Sequence, residues 1–260
     1  MLHFYKYHGA GNDFILLDNR DRKIQHDQEE LFKHLCDRHL GIGADGLMLL
    51  ENSPDYDFEM FYVNSDGRPS SMCGNGGRCI VAFAKKLGII DKEAQFMAID
   101  GLHHAKISEN DRVELKMSKP SPIHRTEFYS TVNTGSPHLV KPVKNIGDLD
   151  VFLEGRQIRN SSDFVKDGIN VNFVERINPT DARVRTYERG VENETLSCGT
   201  GVTAVALVLS DWEKSYGSIE KHLITPGGNL TVRFFKDSDD TIRDLVLEGP
   251  TQYVFEGKWE

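Results

Sequence analysis

The chain has 260 residues, enough for one large or two medium domains with a real core. Its formal net charge is −9, with 31 Lys and Arg against 40 Asp and Glu, and no run of Lys or Arg is longer than a pair. This argues against nucleic acid and anionic membrane as partners. The longest strongly apolar run, Val202 to Leu209, is too short to span a bilayer. Met1-Leu2-His3-Phe4-Tyr5-Lys6 has no basic region followed by an apolar core, so no secretory leader is expected. The four cysteines, Cys36, Cys73, Cys79 and Cys198, then read as reduced thiols of a cytoplasmic protein, not as a disulfide scaffold.

In chain order, Phe4-Tyr5-Lys6-Tyr7 reads as a strand, His8 to Asp13 as a turn, and Phe14 to Asp18 as a second strand. A helix is expected over Asp27–His39. Asp27 would cap it, Glu30 would complete a capping box, and Leu31, Phe32, Leu35 and Cys36 would form its apolar stripe. Gly41 is a plausible stop for it. Leu47–Leu50 and Phe58–Val63 read as strands, and Asn64-Ser65-Asp66-Gly67 as a turn. Met72-Cys73-Gly74-Asn75-Gly76-Gly77-Arg78-Cys79 then opens a helix running from Gly76 to Leu87, with Lys85, Lys86 and Gly88 as stop signals. Short strands follow at Gln95–Ile99, His103–Ile107 and Arg112–Lys116, the first two joined at Asp100-Gly101. Ser118-Lys119-Pro120-Ser121-Pro122 is the best linker.

After that linker the order of events repeats. Gly135-Ser136-Pro137-His138 resembles Gly11-Asn12-Asp13-Phe14, and Asp167-Gly168 resembles Asp45-Gly46. Val184 to Arg189 resembles the stretch from Met60 to Asn64, Cys198-Gly199-Thr200-Gly201 resembles Cys73-Gly74-Asn75-Gly76, and Thr225-Pro226-Gly227-Gly228 takes the place of Asp100-Gly101. The offsets are about 122 to 126 residues, so the chain reads as a duplicated unit of roughly 120 residues. The domains expected are 1–118 together with about 250–260, and 119–249, the last strand crossing back to the first unit. The helix Val202–Leu209 is apolar nearly all round and must be wrapped by protein on every side. The expected fold is therefore α/β (α+β), with two pseudo-symmetric domains. Each is a curved, mainly antiparallel sheet around a central helix.

Cys-Gly-x-Gly entering a helix has a chemical logic. The glycines admit close approach of a ligand to the backbone. The first helical N–H groups lack intrahelical partners, and with the helix dipole they favour an anion such as a carboxylate. The same field stabilises thiolate over thiol. Two such turns facing one another would bracket one carbon, with a thiolate removing a proton from one face and a thiol delivering one to the other. A lone copy is more often a packing cysteine, but two copies at equivalent places of a duplicated unit favour chemistry. Cys36 and Cys79 fall on apolar helix faces and read as core. Zinc is disfavoured because Cys73 and Cys79 lie outside the usual ligand spacing. Gly74-Asn75-Gly76-Gly77 lacks the Lys-Ser/Thr of a phosphate loop, and Gly9-Ala10-Gly11 lacks the third glycine of a dinucleotide turn.

His8-Gly9-Ala10-Gly11-Asn12-Asp13-Phe14, the Met72–Cys79 block, Tyr187-Glu188-Arg189-Gly190 and Ser197-Cys198-Gly199-Thr200-Gly201 together resemble the signature blocks of the diaminopimelate epimerase family. The blocks occur in order and run across essentially the whole chain. The resemblance implies two pseudo-symmetric α/β domains with the active site in the cleft between them, a homodimer, and diaminopimelate as substrate. It implies no cofactor, neither pyridoxal phosphate nor metal. It implies Cys73 and Cys198 as the acid/base pair, and Gly74-Asn75 and Gly199-Thr200 as carboxylate cradles. Asn12, Asn64, Asn170, Glu188 and Arg189 are the implied substrate-binding residues, with Arg189 suited to a distal carboxylate. His138 and Ser136 are implied supporting residues. Two positions depart from the pattern: Gly46 stands where some members have glutamine, and Ser136 where many have asparagine. The competing readings are a two-cysteine proline or hydroxyproline racemase, and a non-catalytic amino-acid-binding or redox-sensing protein.

Overall fold

The structure, a computed structural model, describes residues 1–70 and 72–260. Its elements in chain order begin with β1 (Leu2–Gly9), β2 (Asn12–Asp18), α1 (Glu29–Cys36), β3 (Gly46–Glu51), β4 (Phe58–Asn64), α2 (Gly74–Lys86), β5 (Glu93–Ala98), β6 (Gly101–Ile107) and β7 (Arg112–Lys116). There follow β8 (His124–Arg125), β9 (Ser130–Asn133), β10 (Pro137–Pro142), a 3-10 turn (Ile146–Asp148), α3 (Val151–Arg159), β11 (Asn170–Arg176), β12 (Asp181–Glu188), β13 (Asn193–Thr195), α4 (Gly199–Trp212), β14 (Gly217–Thr225), β15 (Gly228–Lys236), β16 (Ile242–Pro250) and β17 (Gln252–Trp259). The chain divides into one unit of Met1–Leu115 with Gly249–Glu260, and a second of Lys116–Glu248. Among the described residues no helix is long and apolar enough to cross a membrane.

The two units repeat one topology. In the first, β1 and β2 are antiparallel, β2 and β3 parallel, β3 and β4 antiparallel, β4 and β5 parallel, and β5, β6 and β7 antiparallel in succession. In the second, β9, β10, β11, β12, β14, β15 and β16 follow the same sequence of pairings. The final strand, β17, pairs antiparallel with β1 and completes the first unit.

The repeat is held to the residue. Phe14 pairs with Gly46 in the first unit and His138 with Asn170 in the second, both displaced by 124 positions. Leu47 with Val63 becomes Val171 with Tyr187 by the same displacement. This corrects the sequence match at Asp45-Gly46, which corresponds to Ile169-Asn170 and not to Asp167-Gly168. The loops between elements differ in length, so turn residues mislead where strand register does not.

Strand residues alternate between two covered faces, which is why Phe14-Ile15-Leu16-Leu17 and Leu47-Met48-Leu49-Leu50 read as unbroken apolar runs. One face, carrying Ile15, Leu17, Leu47, Leu49 and Val63, packs on Phe32, Leu35 and Cys36 of α1. The other turns towards α2, whose residues Gly74 to Ala84 are all buried. In the second unit α3 covers Leu139, Val171, Phe173 and Tyr187, while α4 is buried from Val202 to Asp211 among the strands of its own unit.

Helix α1 is shorter than expected. Gln28, not Asp27, occupies its N-cap without a side-chain hydrogen bond, so the Asp27–Glu30 capping box does not form. The helix stops at Cys36 because Asp37 turns extended, and its Oδ1 accepts from the N–H groups of His39 (2.7 Å) and Leu40 (2.8 Å). Leu31 lies on the exposed side, leaving Phe32, Leu35 and Cys36 as the buried stripe.

The packing predicts a contrast between helices. Leu207 of α4 is 1 % exposed and Leu153 of α3 is 63 % exposed. Leu207→Ala should cost about 2–5 kcal/mol through lost burial and a cavity. Leu153→Ala should stay within about 0.5 kcal/mol of the parent. Urea midpoints of the two variants check the difference.

Candidate active site

Both predicted cysteines are helix N-caps. Cys73 precedes α2 with φ −91° and ψ 133°, and Cys198 precedes α4 with φ −118° and ψ 114°. In this extended conformation each side chain stands beside the first turn of its helix, among N–H groups with no intrahelical acceptor. Cys73 is half-buried, and Cys198 is more enclosed than its sequence setting suggests, at 9 % exposure. Cys36 and Cys79 are buried in the core, and burial pushes both thiols up, Cys36 to about 12. They are inert as acids or nucleophiles near neutral pH.

Around Cys73 the structure gathers Asn12 and Asn75. Cys73 Sγ lies 3.6 Å from Asn12 Oδ1, and Asn75 Nδ2 donates to the same oxygen at 3.3 Å. Asn12 Nδ2 donates to Asp45 Oδ2 at 2.6 Å. Asp45 is held in turn by Arg38, which also binds Asp13, and Lys6 completes the cluster at 2.7 Å from Asp13. Burial pushes the Asp13 carboxyl up, but the hydrogen bonds from Arg38 and Lys6 outweigh it and hold the group down at about 2. This charged frame fixes Asn12.

Arg78 sits on the other side of Asn75. Its guanidinium is wholly buried, and donates to Asn75 Oδ1 at 2.8 Å and to Gly74 O at 3.1 Å. Its Nε has no partner among the described residues. Burial pulls its pKa down to about 10, and the neighbouring thiols Cys79 and Cys73 oppose that fall. Gly9 is required here: a Cβ would stand 2.9 Å from Asn75 O, so the β1–β2 turn could not close on the helix mouth. Asn64 lies exposed at the end of β4, opposite Gly46. Gly46 has no room for a side chain, since a Cβ would meet the Tyr62 ring at 2.6 Å and Val63 O at 2.7 Å.

In the second unit His138, Thr200 and Cys198 form a chain. His138 Nε2 is 2.9 Å from Thr200 Oγ1, which is 3.5 Å from Cys198 Sγ. Asn172 Nδ2 reaches His138 Nδ1 at 3.2 Å and donates to Leu139 O at 3.0 Å. Asn172 Oδ1 accepts from Thr186 Oγ1 at 3.0 Å. A Cβ on Gly201 would fall 2.4 Å from Asn172 Oδ1, so glycine lets α4 sit directly on this amide. Ser136, Asn170 and Arg189 form a second group. Asn170 Nδ2 donates to Ser136 Oγ at 2.8 Å, and Asn170 Oδ1 accepts from the Arg189 N–H at 2.9 Å. Arg189 Nη1 donates to Asp167 O at 2.9 Å. Glu188 accepts from Thr195 Oγ1 at 2.5 Å. The 124-residue register makes Ser136 the counterpart of Asn12, Asn170 of Gly46 and Glu188 of Asn64.

A family model described as diaminopimelate epimerase matches residues 4–123 and 130–254. The chain belongs to the diaminopimelate epimerase family. It is 49 % identical over 255 residues to a diaminopimelate epimerase of Flavobacterium psychrophilum, covering 97 % of this chain and 98 % of that one. It is 39 % identical over 281 residues to a diaminopimelate epimerase of Aquifex aeolicus, covering 99 % and 97 %. Among solved structures, a PhzF-family phenazine biosynthesis protein of Bacillus anthracis superposes with a TM-score of 0.79 at 14 % identity, over 98 % of both chains. A probable proline racemase of Agrobacterium radiobacter gives 0.70 at 16 % identity, over 100 % of this chain and 93 % of that one. At such identities these two structures show a common fold and no more.

Several residues that frame the two cysteines escaped the sequence reading. Asp13, Arg38 and Asp45 come from three segments, and nothing in one dimension joins them. Asn172 lies two positions from Asn170, on the same face of β11, and meets His138 only because β10 pairs beside that strand. Arg78 was inside the recognised motif, but its burial is a tertiary fact.

His138 gives a test of this geometry. Burial, then the positive field of Arg189, pulls its pKa from 6.5 down to about 3. The unfolded chain therefore binds a proton that the folded chain refuses. Stability falls as pH drops through 6.5 towards 3, at up to about 1.4 kcal/mol per unit from this group. His138→Gln should flatten the fall of stability over that window, as read by denaturant titration of both proteins at several pH values.

Proposed function

We propose that this chain interconverts LL-2,6-diaminopimelate and meso-2,6-diaminopimelate by moving one α-proton, as an isomerase that needs neither pyridoxal phosphate nor metal. The observation that carries the reading is the repeated placement of Cys73 and Cys198. Each is the N-cap of a buried central helix, in units of identical topology, within a chain of this family. In this reading one thiolate removes the α-proton and the other cysteine, as thiol, protonates the opposite face. The substrate α-carboxylate rests on the N–H groups opening α2 and α4, at Gly74-Asn75 and Gly199-Thr200. Charge that develops on it as the proton leaves is stabilised there. Asn12, Asn64, Asn170 and Glu188 bind the remaining polar groups, and Arg189 takes the distal carboxylate. Ser136 supports Asn170 and His138 supports Thr200.

Lysine and peptidoglycan synthesis is the proposed setting, and the cytoplasm the proposed place. A homodimer is the proposed state. In its support, β17 exposes Tyr253, Val254 and Phe255 at 39 %, 48 % and 45 %, an apolar run that favours a covering partner.

Cys73→Ser and Cys198→Ser should each lower epimerisation by roughly 10²- to 10⁴-fold while the circular dichroism stays that of the parent. LL-diaminopimelate in deuterated water, with no cofactor added, reads this as loss of α-deuterium incorporation into the epimer. Parent-like turnover in either variant removes the two-thiol reading. Arg189→Met should raise KM for diaminopimelate by about 10- to 100-fold, the scale of one charge-assisted contact. It should change binding of an amino acid without the distal carboxylate far less. Equal effects on both ligands would remove Arg189 from the distal end.

A further inference from the structure

The helix field is the same at both cysteines, since each is an N-cap of a long buried helix. It cannot decide which one is ionised, so the atoms facing each sulfur must. Their hydrogen-bond direction can be traced from groups that play only one role.

At Cys198 the trace starts from Leu139 O, which can only accept. Asn172 Nδ2 donates to it, so this amide cannot be turned round. The same nitrogen faces His138 Nδ1, which must then accept. His138 is wholly buried and neutral, so its one proton is on Nε2 and is donated to Thr200 Oγ1. With its oxygen accepting from His138, the Thr200 hydroxyl has its own proton left for Cys198 Sγ, at 3.5 Å. A sulfur that receives a donated proton is stabilised as the thiolate.

At Cys73 the direction is reversed. The Asp45 carboxylate can only accept, so Asn12 Nδ2 must face it and Asn12 Oδ1 must face the sulfur. Arg78 can only donate, so Asn75 Oδ1 must face it and Asn75 Nδ2 must face Asn12 Oδ1. Cys73 thus meets a carbonyl oxygen fixed from behind by a carboxylate, which stabilises the thiol as donor. Other groups act on these sulfurs through their fields. The buried Arg78 cation favours ionisation of Cys73, while Asp13 and Asp45 oppose it, partly neutralised by Lys6 and Arg38. Cys79 is buried and un-ionised. On the Cys198 side burial keeps His138 neutral, and the positive field of Arg189 adds to it.

We propose that Asn172 is a positioning residue that fixes His138 as its Nε2–H tautomer, so that the Thr200 hydroxyl donates to Cys198, and that the resting protein holds Cys198 as thiolate and Cys73 as thiol. The equivalent positions of the first unit carry other side chains. By the strand register, Phe14, Met48 and Tyr62 stand where His138, Asn172 and Thr186 stand in the second. The assignment rests on the proposed acid/base role of the two cysteines, but its test reads the free protein without substrate, so the two can fail separately.

The full chain is alkylated with iodoacetamide across pH 5 to 10, and the rate at each cysteine is followed by peptide mass spectrometry. Cys198 should have the lower midpoint, by about one pH unit or more, a tenfold difference in thiolate population. Thr200→Val should raise the Cys198 midpoint by about a unit and leave that of Cys73 in place, and Thr200→Ser should restore it. Asn172→Asp turns the chain round, because its carboxylate accepts from His138 Nδ1–H, and it should raise the Cys198 midpoint as well. A Cys73 midpoint at or below that of Cys198 overturns the assignment. An unmoved Cys198 midpoint in Thr200→Val overturns the relay. If Asn172→Asp does not fold, the parent and the two Thr200 variants decide the matter.

Discussion

The structure depends on burying, in each unit, a helix with no solvent face. Helix α4 is buried from Val202 to Asp211, and α2 from Gly74 to Ala84. An apolar helix of this kind is stable only when sheet surrounds it, and a close-packed sheath allows it little freedom to slide or rotate. Its first turn must then open at a fixed point, with N–H groups that its own carbonyls cannot reach. The N-cap cysteine inherits that fixed point. The packing that makes the unit stable is also what places a sulfur at the positive end of a helix dipole.

On this common scaffold the two units differ in the layer beneath the helix mouth. In the first, the side chains of Phe14 and Met48 and the Tyr62 ring form the floor, and the charged groups come from the frame of Lys6, Asp13, Arg38 and Asp45. In the second the floor itself is polar, through His138, Asn172 and Thr186. Position 78 shows the same divergence. Arg78 donates to Gly74 O in α2, whereas Thr203, its counterpart in α4, donates to Gly199 O at 2.9 Å without a charge. Backbone geometry and the helix dipole are therefore shared, and the side chains below supply what distinguishes one sulfur from the other. Two groups of equal acidity would not hold one proton in a defined place. Unequal surroundings do.

Much of this was legible in the chain. The two Cys-Gly-x-Gly turns, the apolar helices behind them and the recurrence at nearly constant offset all lie in local pattern, and the periods of strand and helix make them readable. The errors fell where local signals compete. Asp27 and Glu30 have capping-box spacing, yet α1 starts after Gln28, and Asp37 ends it at Cys36 instead of carrying it to His39. The match of Asp45-Gly46 to Asp167-Gly168 was two residues out, because turn dipeptides are common and only strand pairing shows that Gly46 corresponds to Asn170. At Gly46 the sequence showed a missing side chain, and the fold explains it: the Tyr62 ring fills the space.

The sequence by itself determined the duplicated architecture, the place of Cys73 and Cys198 just ahead of a helix, and membership of the diaminopimelate epimerase family. These follow from residue types at short spacing, which the backbone obeys wherever the chain goes. That α2 starts at Gly74, with Cys73 as its N-cap, and not at Gly76, is a finding of the structure. Only the tertiary structure decided that Arg78 is buried against Asn75, that Asp45 fixes Asn12, and that Asn172 fixes His138. The direction of a hydrogen bond depends on a partner distant in sequence, and such a partner is known only once the strands are paired.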